Sequence, residues 1–573
     1  VRERALYGIL LLVGIPAILA PILVPLPHSG GDNAGYLELA WALAEGEGYR
    51  ELWEPGAPEH TKYPPGFPLV LAGAILLGMT QWSSFKLLIA AITTAALLVT
   101  YLWASGRALG PRGGVAVALL TLFSAGWLDA ARWILSEPLF LLLTFGSLGA
   151  IEAALRAKEG RGRPLMLLGW ALAIGAVLTR SAGLPLLAAI LASLLLRGRV
   201  RLAGLFLLAS VPLLGGWALR LRQGGEGAYQ SEFWMVNPYE PALGLVAWWE
   251  LPARGLENLR FYLVEVLPAE WWGGVSLPLR IPLLLTVLLL LTAAVGWGVR
   301  GRRGELGPTE LFLPLYLGLI LLWPPVWAGS RFFLTLIPIV LLLAAEGGEW
   351  LLRRGGVPRR GRAVFATSAL LLFLAPTLPA WSAMRSEGEV CRAAERAGDV
   401  FLCASAGFRE YRDASAWMGA VLPPGEVVMT RKPRFVHLLG GPVGRPFPFT
   451  LDPEELLGEA DRVGARYLLL DHLDGISRYY LPAILLARPL AFCHIRGWGG
   501  GAGVPGTDLF GILPVGERRV EGSVSDMREC TGDYLAAPGG VQGSRSGEGG
   551  AGAGVLRSEG VRVPLLVQPR GSP

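Results

Sequence analysis

Charge is what this chain has least of. Of its 573 residues only 17% are Asp, Glu, Lys or Arg, while 53% are hydrophobic. A soluble protein of this length carries about a quarter charged residues, so an ordinary globular enzyme is excluded. Histidine is scarce, at five residues, and cysteine scarcer, at four. There is no zinc-type Cys/His cluster, no HExxH helix, and no Walker or dinucleotide glycine motif. Gly499-Gly500-Gly501-Ala502-Gly503 is glycine-rich, but no strand–helix unit surrounds it, so it reads as a loop. No internal repeat stands out, and nothing points to nucleic acid.

What the chain has instead is long apolar runs. Residues 5–26 are almost unbroken apolar sequence, long enough to cross a bilayer as a helix. The run exceeds a signal-peptide core and lacks a small-x-small cleavage site after it, so a retained helix is expected. Six basic clusters then fix the topology, because short loops rich in Lys and Arg stay in the cytoplasm. They are Arg2/Arg4, Arg107/Arg112, Arg156/Lys158/Arg161/Arg163, Arg197/Arg199/Arg201, Arg300/Arg302/Arg303 and Arg353/Arg354/Arg359/Arg360/Arg362. All share one side if spans fall near 5–26, 86–104, 114–128, 137–155, 164–179, 182–196, 202–219, 278–299, 309–328, 332–346 and 363–381. That gives about eleven transmembrane helices, with the N-terminus cytoplasmic and the C-terminal domain extracytoplasmic. The apolar stretch 64–79 must then be a juxtamembrane or re-entrant helix on the outer face, since counting it as a span reverses every later loop.

The expected outer loops hold a specific polar set. The first loop, 27–85, has Asp32, Tyr36, Glu38, His60, Lys62 and Tyr63. The second has Asp129, Arg132, Ser136 and Glu137, and the third Thr179, Arg180 and Ser181. The long loop 220–277 is rich in aromatics, including the pairs Trp248/Trp249 and Trp271/Trp272, and Arg331 lies in the next. Ionisable residues at membrane depth are expensive and tend to be functional. Each also has a plain structural reading. Asp32 suits the N-cap of a helix beginning near Ala34. Arg180 and Arg331 suit snorkelling at helix ends. Glu137 before Pro138 suits a helix start. The Trp pairs suit an interfacial belt better than a sugar-stacking platform. What favours function is that all fall on one side.

Five segments in this order carry a family resemblance. They are Gly31-Asp32-Asn33-Ala34-Gly35-Tyr36-Leu37-Glu38-Leu39-Ala40, Lys62-Tyr63-Pro64-Pro65-Gly66-Phe67-Pro68, Ser136-Glu137-Pro138-Leu139-Phe140, Thr179-Arg180-Ser181-Ala182-Gly183, and Arg331-Phe332-Phe333 leading to Pro338. Over about residues 1–382 the chain resembles the GT-C superfamily of polytopic glycosyltransferases. The likeness is to the bacterial branch related to protein O-mannosyltransferases and lipid A aminoarabinose transferases. The resemblance implies a polyprenyl-phosphate-linked sugar donor and a protein, lipid or glycan acceptor at the outer face of a bacterial cytoplasmic membrane. The acceptor hydroxyl attacks the anomeric carbon with inversion and the lipid phosphate leaves. That chemistry needs a base by the acceptor and cations by the phosphate. Asp32 matches the family's first-loop acid and is the expected catalytic base; Lys62, Arg180 and Arg331 are the expected phosphate partners. Tyr36, Glu38, His60, Tyr63, Asp129, Arg132 and Glu137 are expected around the substrates. Asn33 follows Asp32 where an adjacent second acid would make a metal grip. The sequence therefore specifies no cofactor, although Glu38 and His60 leave room for a divalent cation, Mg or Mn.

The region 383–533 is different material, with β-like runs at 426–430, 466–471, 491–496 and 508–513 and amphipathic helical stretches at 409–421 and 453–463. It reads as a small α/β domain that serves acceptor choice or acts as a cap. All four cysteines, Cys391, Cys403, Cys493 and Cys530, lie here. Three pairings exist; Cys391–Cys403 with Cys493–Cys530 is preferred, beside free thiols. Residues 534–573 are Gly/Ser/Arg-rich and read as a disordered tail. The competing function is a flippase or transporter of polyprenyl-linked sugars without transferase chemistry. Transporters show internal repeats and mid-helix polar breaks, whereas here the charges sit at helix mouths.

Overall fold

The computed structural model describes residues 2–534 apart from 108, 159–161, 224–228, 501–505, 520–522, 524–525 and 531–533. Most of the expected tail, 535–573, and part of the glycine-rich loop thus lie outside the described residues. Two compact units divide the chain: Val1–His28 with Glu59–Ala393, and Ser29–Pro58 with Ala394–Pro573.

The first unit is helical and is that of a polytopic membrane protein. Each expected span falls on helical sequence, but 114–128 and 332–346 each run over two helices, and 309–328 runs past the end of Pro308–Leu322. Six helices are long and apolar enough to cross a bilayer: Arg2–Ile22, Trp82–Ser105, Glu137–Arg156, Val200–Arg222, Arg280–Arg302 and Arg359–Arg396. A seventh span arises if Gly110–Leu122 and Ala125–Arg132, bent by 69°, count as one. Arg163–Thr179, Ser181–Leu196 and Pro308–Leu322 are apolar but shorter. Ile337–Arg354 carries Glu346, Glu349, Arg353 and Arg354 on its second half. Length and composition therefore give six or seven crossings where the charge pattern gives eleven. Within residues 64–79 the helix is only Gly66–Leu76, eleven residues, or about 16 Å at 1.5 Å per residue. A bilayer core of about 30 Å is beyond its straight reach.

Close packing in this unit depends on small residues. A β-carbon on Gly296 would overlap the Leu343 carbonyl oxygen, and one on Gly347 the Thr292 carbonyl oxygen. The helices Arg280–Arg302 and Ile337–Arg354 thus approach backbone to backbone, as small residues permit in lipid.

The second unit contains a five-stranded sheet of β1 (Val427–Met429), β2 (Gly444–Arg445), β3 (Ala465–Leu470), β4 (Phe492–Trp498) and β5 (Thr507–Ile512). The spatial order is β2-β1-β3-β5-β4. β1 runs parallel to β2 and β3, while β5 runs antiparallel to β3 and β4. Local sequence dictates its helices. Asp452 caps Pro453–Val463 by accepting the Glu454 N–H at 2.9 Å, Glu454 and Glu455 occupy the first turn, and Gly464 ends the helix at φ 70°. Asp474 caps Gly475–Ala487 in the same way. Cys493 pairs with Cys530, and no described cysteine is a free thiol. Tyr534 is no tail residue: it is buried and donates to the Ile512 carbonyl.

Candidate functional site

Three expected residues come together at three element ends of the helical unit. Glu137 opens the helix Glu137–Arg156, with Pro138 behind it fixing the first turn. Arg180 follows the helix Arg163–Thr179 in extended conformation. Arg331 lies in the short helix Ser330–Phe333. Both guanidiniums reach the same oxygen: Arg180 Nη1 and Arg331 Nε each lie 2.7 Å from Glu137 Oε1. Arg180 also donates to Ser136 Oγ at 3.0 Å. Glu137 is buried, yet its Oε2 has no hydrogen-bond partner among the described residues. The Arg331 side chain is 40% exposed and that of Arg180 13%. Two guanidiniums thus converge on one carboxylate oxygen, and the Arg331 side chain stays accessible beside them.

Lys62 has a different setting. Its Nζ is 2.6 Å from Glu232 Oε1 and lies over the rings of Tyr229 and Trp327, at 5.4 and 5.2 Å. His60 and Tyr63 are buried together: His60 Nε2 accepts the Tyr63 N–H at 2.7 Å, and the His60 carbonyl accepts from Arg220. These two shape the loop around Lys62. Arg132 is buried and donates to Glu387 at 2.6 Å, while its own carbonyl accepts from Lys86 Nζ at 2.8 Å. Asp129 accepts from Trp133 Nε1 at 2.9 Å.

Asp129 also lines a cavity of about 450 Å³ with Gly126, Glu265, Glu270 and Ser330. Glu270 accepts from the Gly126 N–H at 3.0 Å and from Ser330 Oγ. Burial pushes the Glu270 carboxyl up, and the Ser330 and Gly126 donors only partly offset it. Ser330 immediately precedes Arg331, so the cavity adjoins the Glu137 cluster along the chain.

Asp32, Tyr36 and Glu38 belong to the second unit, on the helix Gly31–Ala44. The N-cap is Gly30 and Asp32 sits half-buried inside the first turn, so the capping explanation of Asp32 does not hold. Tyr36 is buried. Glu38 is buried too, and its Oε1 lies 2.8 Å from His437 Nδ1. Burial by itself lowers the His437 pKa, but the Glu38 carboxylate outweighs it and holds the imidazolium above its ordinary value.

The cation expectation finds no cradle. Among the described residues no three of His, Cys, Asp or Glu converge as metal ligands. Glu38 is spent on His437, and His60 Nε2 on the Tyr63 N–H.

Sequence reasoning missed Glu232, Glu270, Glu387, Lys86 and His437. Only Lys86 carried a local signal, as a lysine inside an apolar helix. The others are single acids or bases on the helices Tyr229–Trp234, Leu267–Trp272, Leu378–Arg396 and Pro433–Leu438, with meaning only through their partners. The Trp pairs divide: Trp248 and Trp249 are exposed, at 72% and 66%, whereas Trp271 and Trp272 are buried and donate to the Leu120 and Leu372 carbonyls.

By sequence, no protein family pattern matches the chain, and no curated protein matches either. The fold does have relatives. An oligosaccharyltransferase from Archaeoglobus fulgidus, solved in complex with Zn and sulfate, matches with a TM-score of 0.51 over 85% of this chain and 72% of that one, at 13% identity. The chain has a GT-C fold. Weaker likenesses, below a TM-score of 0.5, reach ArnT from Cupriavidus metallidurans bound to undecaprenyl phosphate (0.47, 14% identity, 89% of this chain and 98% of that). They also reach the mycobacterial arabinofuranosyltransferase AftD (0.45, 15% identity, 89% of this chain and 40% of that). At these identities the likeness concerns the GT-C fold alone.

Proposed function

We propose that this GT-C chain is a glycosyltransferase that moves a sugar from a polyprenyl-phosphate donor to an acceptor hydroxyl at the outer face of the membrane, with inversion. The observation that carries this reading is the shared carboxylate: Arg180 and Arg331 both on Glu137 Oε1 at 2.7 Å, with Arg331 open to solvent. A fixed pair of guanidiniums suits a phosphate monoester or diester, whose oxygens match the planar fork. As the glycosidic bond breaks, charge grows on the leaving phosphate, and prearranged cations stabilise it there. Glu137 Oε2, buried and without a hydrogen-bond partner among the described residues, has the acceptor capacity to take a sugar hydroxyl beside that phosphate. Lys62, held by Glu232 and two aromatic rings, is a further cation for the same lipid phosphate. Asp129 lines the adjoining cavity, and Arg132 ends the same short helix, Ala125–Arg132. Asp32 is the base that receives the acceptor proton, an assignment resting on the sequence resemblance.

The test is direct binding of undecaprenyl phosphate to the purified wild type, Arg331→Ala and Arg331→Lys. Arg331→Ala is expected to weaken binding and Arg331→Lys to restore only part, because the fork is lost. A snorkelling arginine predicts otherwise: lysine substitutes in full and alanine leaves donor affinity intact. That outcome would remove Arg331 from the site. Asp32→Asn is expected to keep donor binding and lower turnover by on the order of a hundredfold; normal turnover in the folded variant excludes it as the base.

A further inference from the structure

The C-terminal unit has no catalytic motif of its own, yet it holds the segment Ser29–Pro58. Its grip is specific. Lys432 Nζ donates to the Ser29 carbonyl at 3.0 Å and is itself held by Asp474 at 3.1 Å. Five residues further along the chain, His437 Nδ1 meets Glu38 Oε1 at 2.8 Å. Ser29 lies three residues before Asp32 and Glu38 six after it, so the two contacts bracket Asp32. Downstream, the Gly444 N–H donates to the Trp53 carbonyl at 2.8 Å, and Trp53 is fully buried beneath Arg434. Glu54 pairs with Arg445 on β2. The segment is therefore clamped before, behind and beyond Asp32 by Lys432, His437 and β2.

The burial of Glu38 makes the His437 contact consequential. A carboxylate taken out of water is tolerated when it is paired and hydrogen-bonded. Without His437 it must seek water, and the helix that carries Asp32 must shift or roll to expose it. Asp32 lies about 9 Å along the same rigid helix, at 1.5 Å per residue, so any such movement displaces its carboxylate. A general base works only within hydrogen-bond reach of its proton, and misplacement by about 1 Å lowers rates as much as a hundredfold.

We infer that the C-terminal unit is part of the catalytic apparatus, with Lys432 and His437 as positioning residues that set the place of Asp32. The inference rests on the reading of Asp32 as the base. It gives the unit a task other than choosing acceptors or capping the fold: without it the first-loop helix has no seat.

The experiment uses the full chain in nanodiscs and two readouts. One is hydrogen–deuterium exchange of peptides covering 31–39. The other is turnover of a mixture of undecaprenyl-phosphate-linked mannose, glucose and arabinose, read as release of undecaprenyl phosphate with and without a membrane glycolipid extract as acceptor. In His437→Ala and Lys432→Ala, exchange across 31–39 should rise at least tenfold while peptides of Trp82–Ser105 stay unchanged. Turnover should fall tenfold to a hundredfold with the donor KM unchanged. His437→Gln, which keeps a donor for Glu38, should restore part of both. If His437→Ala fails to fold, Glu38→Gln reads the same contact from the other side. Unchanged exchange and turnover in His437→Ala, beside an inactive Asp32→Asn, would overturn the inference. Full turnover in Asp32→Asn overturns the base assignment instead, and the exchange readout still decides whether Lys432 and His437 seat the helix.

Discussion

Glu137 shows how one residue serves two readings at once. Its place at a helix start, before Pro138, is what an ordinary helix-opening acid would have. What the local pattern leaves out is that Arg180 and Arg331, more than forty and nearly two hundred residues away, converge on the same oxygen. Glu38 and His437 repeat the lesson across about four hundred residues. Such pairs are invisible in one sequence because nothing local marks a partner. The Glu38–His437 pair also makes a pH prediction. The folded His437 pKa is raised, chiefly because the Glu38 carboxylate overrides burial. Among the described residues on the helices packed against Pro433–Leu438, Glu38 is the one in ion-pair contact with the ring. The stabilisation is therefore complete below the unfolded value of roughly 6.5 and is lost as pH rises through the folded pKa. The gap in thermal stability between wild type and Glu38→Gln should be largest near pH 6 and shrink steadily towards pH 9. A gap that widens with pH would mean that His437 is held neutral.

Among the elements, the most legible were those with strong local signals. The helix expected at 453–463 is found at Pro453–Val463, because its cap, proline, acids and closing glycine all agree. Four of the five strands lie where the β-like runs are, while β2, two residues long, and the helix Pro433–Leu438 gave no periodicity to read. Spans were legible as apolar runs, but their ends and charges were not. At one end of the helix Glu137–Arg156, Glu152 joins Arg107, Thr309, Glu310, Arg300 and Glu346 in a buried network. From residue 137 to 152 is fifteen residues, roughly 22 Å at 1.5 Å each, so a mostly apolar stretch separates two polar layers. The crossing of Arg280–Arg302 with Ile337–Arg354 was likewise silent in the sequence, since Gly296 and Gly347 look like any other glycines. Gly347→Val should force these helices apart, because its β-carbon has no room against the Thr292 carbonyl. Overpacking of this kind costs about 1–3 kcal/mol or more, and a loss of several degrees in melting temperature is expected. Gly298→Val on the facing helix Arg280–Arg302, where nothing lies within 4 Å, is the control and should leave the melting temperature within a degree or two.

For the whole molecule, orientation follows from whether 64–79 crosses the membrane. The argument from charge is that the six basic clusters share one side only if it does not. Geometry favours the same answer, since the helix there is Gly66–Leu76 and spans about 16 Å, roughly half the hydrocarbon core. It also suggests where a reporter belongs. The apolar helix Arg359–Arg396 is 38 residues long, about 57 Å, and runs well past any bilayer before ending near Gly398. A phosphatase that is active only outside the cytoplasm, fused after Gly398, should therefore be active, while the same enzyme fused after Arg303 should be inactive. The active fusion would put the Glu137–Arg180–Arg331 cluster on the outer face, where a lipid-linked donor and an extracytoplasmic acceptor would meet. The reverse pattern would turn every loop after residue 79 over, place that cluster in the cytoplasm, and require a transferase that works on cytoplasmic acceptors.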